Sequence, residues 1–319
     1  MTYRPAPEAR ISRRLKLRDL HLFFAVVRAG SMAKAASQLG MSQPSVSEAI
    51  ASLEHALGVK LFDRSSRGVE PTKFGHVLLK RGVAAFDELA QAVRDIEHLS
   101  DPAAGEVKIG CTEAIASIFT PIIETFLQEH PGVVIHVDQV DNRTLELPIL
   151  RQRQCDFVLG HFSVPLLDGP LAEDLNVDVL FNDKLVVTAG AQSRWARRRK
   201  IDLAELAGEP WILSPPTSWN YRIIAEAFQA RGLAMPKIRL VTYSAFLRAD
   251  MIAAGDFIAT FPNLIVQFFA RRQSVKVLPV SLPVRHWPLA VVTLKNRTLS
   301  PVVERFIDHL RGVTRALGS

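Results

Sequence analysis

Residues 42–57 read SQPSVSEAIASLEHAL, a capped helix with one buried stripe and one open face. Ser42 suits an N-cap, and Pro44 falls in the first turn, where its missing N–H costs no hydrogen bond. Val46, Ile50, Leu53 and Leu57 recur at i, i+4, i+7 and i+11, so the spacing predicts one side turned toward a core. Gln43, Ser45, Ser47 and Ser52 are left outside. These are short hydrogen-bonding side chains, able to enter a DNA major groove without holding the helix away from base edges.

The flanking sequence agrees. Residues 31–39 predict a short helix with Met32, Ala35, Ala36 and Leu39 on one face, and its alanines allow a close helix crossing. Gly40, Met41 and Ser42 then form the short glycine-containing turn expected between the two helices of a helix-turn-helix. Upstream, Leu20, Phe23, Phe24 and Val27 stripe another helix that Gly30 ends. Downstream, residues 58–72 place Leu61, Phe62 and Val69 around the basic tip Arg64, Ser65, Ser66, Arg67, Gly68, which predicts a hairpin wing.

The run AVVRAGSMAKAASQLGMSQPSVSEAIASLEHALGVKLFDRSSRGVEPTKFG, residues 25–75, resembles the winged helix-turn-helix of LysR-type transcriptional regulators without a gap. The Ala35–Ala36 pair, SQPSVS, IASLE, LGVKLFDR, and Thr72 with Gly75 carry the likeness in order and spacing. Glu48 departs, standing where the family often has a basic or amide side chain. The resemblance implies that Ser31, Met32, Ser42, Gln43, Pro44, Ser45 and Ser47 meet operator DNA, with Arg64 and Arg67 on the wing.

Composition is consistent with such a partner. The 319 residues carry a net charge of +7 and 48% hydrophobic residues, enough for two or three cored domains. Residues 1–75 hold 12 Lys and Arg against 6 Asp and Glu, so nearly all of the surplus sits at this end. A local basic excess suits a polyanion. Residues 1–16 read as a flexible basic arm. No apolar run is long enough to span a membrane, and no signal-like core opens the chain. Cys111 and Cys155 form no metal motif with the nine histidines, so no metal or cofactor is expected. Without a disulfide framework, a cytoplasmic location is expected; a redox-sensing cysteine pair stays open.

Beyond the wing, residues 73–99 read as one long helix. Leu79, Phe86 and Val93 repeat every seven residues, with Leu89 and Ile96 on the adjoining position, a coiled-coil seam for self-association. Gly75 and Gly82 share that seam and would let a partner helix approach. Residues 101–105 mark a boundary.

From there strands and helices alternate, giving an α/β domain over 101–319. A strand at 107–110, one helix through Ile115, Ile118, Phe119, Ile122 and Phe126, a strand at 133–140, a helix at 143–154 and a strand at 157–160 form a first set. Strands at 180–188, 211–213, 238–242, 257–261 and 275–278 form a second, with helices at 220–230, 245–254 and 263–271. The last strand, 290–294, and helix, 301–311, are too short for a lobe alone. Resemblance to the family's effector domain implies a two-lobed, periplasmic-binding-protein-like fold. Lobe 1 would hold about 101–163 and 287–319, and lobe 2 about 164–286, the chain crossing near 161–165 and 283–288.

Ligands in open α/β sheets sit beyond the carboxyl ends of strands. The polar groups expected there are Thr112, Asn142 and His161 in lobe 1, and Ser214, Thr217, Tyr243, Ser244 and Pro262 in lobe 2. Hydroxyls at helix N-termini suit an anion, though the same residues are ordinary caps. The family resemblance favours Thr112. The expected protein is therefore a ligand-responsive transcriptional regulator, with double-stranded operator DNA, a small anionic effector and itself as partners. The resemblance implies a dimer through the linker helix, a tetramer on DNA, and RNA polymerase as a further candidate partner. An enzyme on the two-lobed domain is the rival, but no G-x-S-x-G, Walker or G-x-G-x-x-G motif occurs. A ligand-independent DNA architectural protein would not need some 220 further residues.

Overall fold

The computed structural model describes residues 15–65, 68–101, 104–116, 119–140, 147–162, 170–269, 274–282 and 287–318. The expected basic arm falls almost wholly outside them, as do Ile118, Asn142 and Arg67. The chain divides into two compact units, Met1–Leu89 and Ala90–Ser319.

In the first unit, α1 (Leu17–Ala29) stops at Gly30, whose φ of 61° is left-handed backbone suited to glycine. Helix α2 (Met32–Gln38) and α3 (Gln43–Leu57) follow. Val46, Ile50 and Leu53 are buried against Phe23, Val26, Ala35 and Ala36. Strands β1 (Phe62–Ser65) and β2 (Gly68–Pro71) pair antiparallel from Phe62↔Pro71 to Ser65↔Gly68. Val69 N–H donates to the Gly30 carbonyl at 3.0 Å, tying the wing to the end of α1.

One core element is charged. Glu54, on the buried side of α3, is 4% exposed. Its Oε1 accepts from the backbone N–H groups of Leu61 (2.8 Å) and Phe62 (3.3 Å), and its Oε2 from Lys60 Nζ (2.9 Å). One carboxylate thus fixes the turn from the helix into the wing. Burial alone would raise its pKa, but Lys60 and the two amides outweigh that and hold it below the usual carboxylate range.

Helix α4 (Lys73–Ser100) is as long as its pattern predicts, but its seam divides. Leu79 packs against the core of the first unit, and Phe86 meets Phe24 edge-on at 5.5 Å. Leu89, Val93 and Ile96 are exposed, at 46%, 54% and 64%. The expectation that Gly75 and Gly82 serve a partner helix is corrected: a Cβ on Gly75 would stand 2.3 Å from the Leu61 carbonyl oxygen, and one on Gly82 2.7 Å from the Phe24 ring. The close approach they permit is to their own chain.

The second unit holds two five-stranded sheets. The first runs β4 (Gly132–Gln139), β3 (Ala104–Cys111), β5 (Phe157–His161), β12 (Trp287–Leu294), β6 (Leu175–Asp183). Its first three strands are parallel; β12 is antiparallel to both β5 and β6. The second runs β11 (Val275–Val277), β7 (Leu185–Gly190), β10 (Ile258–Pro262), β8 (Pro210–Leu213), β9 (Lys237–Val241). Here β8 is parallel to β9 and β10, and β7 is antiparallel to β10.

Several expectations change. The strand expected at 180–188 is two: β6 completes the first sheet, β7 enters the second, and Lys184 stands between them. The first crossing is therefore at Asp183–Leu185 instead of 161–165, and β6 moves from the second lobe to the first. Strand patterning cannot reveal that the two halves of one run pair in different sheets. The single helix expected through 115–126 is α5 (Glu113–Ala116) and α6 (Thr120–Glu129), with Pro121 in the first turn of α6. The described part of the helix expected at 143–154 is only α7 (Pro148–Arg151), because the residue before a proline is driven out of the helical region. Helices α8 (Trp219–Gln229), α9 (Ala245–Ala254) and α10 (Asn263–Phe269) lie near their expected places, and α11 (Pro301–Gly318) is longer. As expected, α11 returns to the first sheet, where Val302, Val303, Phe306 and Leu310 join Phe126 and Phe157 in one core.

The Glu54 clamp carries a pH signature. A group with a depressed native pKa contributes stability that is present above its unfolded pKa and lost as pH falls through the native one. Glu54→Ala should cost the first unit about 2–3 kcal/mol at neutral pH, and the difference from wild type should shrink in acid. Hydrogen exchange at the Leu61 and Phe62 amides of the full chain reads both effects; equal protection in the variant would refute the clamp.

Candidate functional site

The expected residues divide between two regions, and only some of them reach a surface. The first is the open face of α3. Ser42 caps the helix, accepting from Ser45 N–H at 3.2 Å, while the two hydroxyls bond at 2.8 Å. Ser42 and Ser45 therefore set the helix start, and Gln43, Pro44 and Ser52 stand exposed around it with Ser47 half-buried. Arg64 is exposed on β1. Met32 is corrected: at 6% exposure its side chain belongs to the core between α2 and α3 and cannot reach a ligand surface. Ser31 precedes α2 half-buried.

The second region lies where the two sheets of the second unit meet. Thr112 follows β3, and its Oγ1 accepts from Ile115 N–H at 3.4 Å at the start of α5. Ala114 packs against the second-sheet cluster of Ala245, Ala249, Ile252 and Phe261. In return, Leu264 of α10 enters the first-sheet core. Ile212 of β8 and Phe261 of β10 belong to the cluster that Ala114 meets, so the carboxyl ends of β3, β8 and β10 converge on this seam.

His161 takes a different part from the one expected. It is 7% exposed, and its Nε2 lies 3.0 Å from Asp183 Oδ2. A carboxylate only accepts, so Nε2 carries the proton. The same oxygen accepts from Leu264 N–H at 3.3 Å, and Oδ1 from Lys184 N–H at 2.8 Å. Trp287 covers the imidazole at 4.7 Å between ring centroids. His161 thus helps hold the crossing between sheets and is not open to a ligand.

The other candidates are mostly engaged. Ser244 caps α9 by accepting from Leu247 N–H, and Thr217 bonds the exposed Tyr243 hydroxyl at 2.8 Å. Pro262 is buried in register with Leu185 and has no N–H. Ser214 is buried and accepts from Arg248 Nη1 at 2.9 Å. Arg248 was missed by the sequence reading, although a visible sign exists: it occupies the buried face of α9 with Ala245, Ala249 and Ile252. Cys111 and Cys155 are buried free thiols, and burial pushes both up to about 12, which keeps them protonated. Among the described residues no cluster could hold a metal ion, and no helix is long and apolar enough to cross a membrane.

Comparison with known proteins finds a family model for each part of the chain. The family described as bacterial regulatory helix-turn-helix protein, lysR family, matches residues 17–76, and the LysR substrate binding domain matches residues 100–315. The chain is 29% identical over 303 residues to the HTH-type transcriptional regulator GbpR of Azospirillum brasilense, covering 94% of this chain and 87% of that protein. Among solved structures it is similar to a full-length OxyR variant from Pseudomonas aeruginosa, with a TM-score of 0.65, 20% identity, and 94% and 95% of the two chains covered. It is also similar to full-length CbnR complexed with target DNA, with a TM-score of 0.52, 21% identity, and 94% and 100% covered. The matched relatives and families are transcriptional regulators and not enzymes.

The crossing can be tested directly. Asp183→Ala leaves the His161 imidazole and two backbone N–H groups without their acceptor, so the second unit should lose about 2–4 kcal/mol. All four tryptophans, at 195, 211, 219 and 287, lie in that unit, so fluorescence-detected urea unfolding reports it. A midpoint unchanged from wild type would show that the carboxylate does not hold the crossing.

Proposed function

From the premise that the chain belongs to the LysR family of DNA-binding transcriptional regulators, we propose that α3 reads operator bases in the major groove while a small anionic effector binds where the two sheets meet. The observation that carries the DNA reading is the division of α3 itself. Val46, Ile50 and Leu53 are buried, and Gln43 stands exposed beside a properly capped N-terminus. That is how a recognition helix offers short polar groups to base edges. Arg64 is assigned to phosphate, where it adds affinity without sequence preference.

The effector role rests on the carboxyl ends of β3, β8 and β10 meeting at one seam. Such a ligand regulates only if it favours one arrangement of the lobes over another, since equal affinity for both shifts nothing. Self-association is assigned to the exposed stripe of Leu89, Val93 and Ile96 on α4. A tetramer on DNA and contact with RNA polymerase extend the same proposal.

Gln43→Ala and Ser47→Ala should each cost about 1–3 kcal/mol on the operator and relax base preference. Arg64→Ala should weaken all sequences alike and flatten the salt dependence. Footprinting and binding titrations over a salt series make the measurement; full operator selectivity in both Gln43→Ala and Ser47→Ala would end the assignment of α3. For the stripe, Val93→Asp with Ile96→Asp should lower the sedimentation mass and operator affinity together. An intact oligomer in that double variant would place the interface elsewhere.

A further inference from the structure

Arg248 is 4% exposed, on α9 of the second sheet. Its Nη1 donates to Ser214 Oγ at 2.9 Å and to the Thr260 carbonyl at 3.1 Å, and the guanidinium lies over the Phe261 ring, 4.7 Å from its centroid. Its Nε is buried with no hydrogen-bond partner. A second buried donor without a partner, the Thr260 hydroxyl, belongs to the residue whose carbonyl Arg248 already bonds. Arg297 of the same unit shows the usual arrangement, its Nη2 meeting Asp156 Oδ1 at 3.0 Å. No described carboxylate lies within ion-pair distance of Arg248.

A buried guanidinium without a counter-ion is costly, and the usual remedy is a hydrogen-bonded anion. Burial pushes Arg248 down to about 10, opposed by Glu113, which acts on it through space from the start of α5. Glu113 therefore belongs to the first lobe and Arg248 to the second. The seam between them is the contact of Ala114 with the Ala245, Ala249 and Phe261 cluster. With the lobes in contact the cation is enclosed without its anion.

We propose that Arg248 is the receptor for a carboxylate group of the effector, offering its Nε between the lobes so that closure over Arg248 is favourable only when the carboxylate is present. This rests on the effector reading above and names the ligand's chemistry. An Arg is the residue suited to planar recognition of a carboxylate. The facing negative charge of Glu113 admits two sources of that group, a plain carboxylic acid or an amino acid whose ammonium turns toward Glu113.

The test is thermal unfolding of the full chain, read by tryptophan emission at constant ionic strength, with acetate, benzoate and glycine as probes and acetamide and benzamide as neutral controls. A carboxylate should raise the melting temperature of the wild type while its amide does not. Arg248→Met should melt no lower than wild type in plain buffer, because a buried cation has been replaced by an apolar chain, and should lose the carboxylate effect. No rise with any carboxylate, an equal rise with the amides, or an equal rise in Arg248→Met would overturn the proposal. If Arg248→Met does not fold, Arg248→Lys keeps the charge but not the Nε donor, and apparent carboxylate affinity should fall about tenfold; unchanged affinity would again overturn it. Glycine exceeding acetate in wild type, but matching it in Glu113→Gln, identifies the amino acid source; acetate and benzoate acting alone identify the plain acid. Operator footprints with the same probe separate the two readings. A carboxylate bound through Arg248 that leaves the footprint unchanged ends the effector role and keeps the site. A footprint shift that survives Arg248→Met keeps the role and ends the site.

Discussion

Two sheets that share one chain must be joined where it leaves the first for the second, and here that duty falls on the Asp183 carboxylate. Asp183 ends β6, Lys184 follows, and Leu185 begins β7 in the other sheet. The carboxylate holds His161 from β5 and the N–H of Leu264 from α10, besides the amide of Lys184. Both lobes are thus bonded to one side chain at the point where the backbone is shared. Leu264 in the first core and Ala114 against the second extend that contact in apolar form. A cleft that is to change under a small ligand needs such a fixed pivot, because a few-kcal/mol differential binding can move lobes only about a defined crossing.

The buried charges of the molecule divide by what satisfies them. Glu54 has two amides and Lys60, and Asp156 has the Lys108 amide and Arg297. These pairs fix local geometry: the first sets the entry into the wing, the second joins the start of β5 to β3. Satisfied in this way, a buried charge specifies one arrangement at modest net cost. Arg248 differs in holding neutral acceptors and an aromatic face but no carboxylate, at the seam between the lobes.

The helix-turn-helix was legible because its determinants are local. Ser42 caps within three residues, Gly30 and Gly58 stop helices with left-handed φ, and Val46, Ile50 and Leu53 repeat at the helical period. The long helix was equally plain, yet the partner of each side chain on it was not. Leu79, Phe86 and Val93 share one spacing, but the first two meet their own domain and the third is exposed. Periodicity reports a face; it does not say what covers that face.

The sequence alone determined the helix-turn-helix with its cap and open face, the long helix after the wing, and the alternation that makes the larger domain α/β. These depend on residues a few positions apart, within reach of helix and strand periods. Tertiary structure alone decided that 180–188 divides between two sheets, that Gly75 and Gly82 face their own chain, and that Met32 is core. It also decided that His161 serves Asp183, and that Arg248 is buried beside Ser214 and Thr260. Apart from the adjacent Lys184 amide, the hydrogen bonds of Asp183 and Arg248 reach partners between 12 and 81 positions away, and bonds and packing across such distances leave no period in the chain to read.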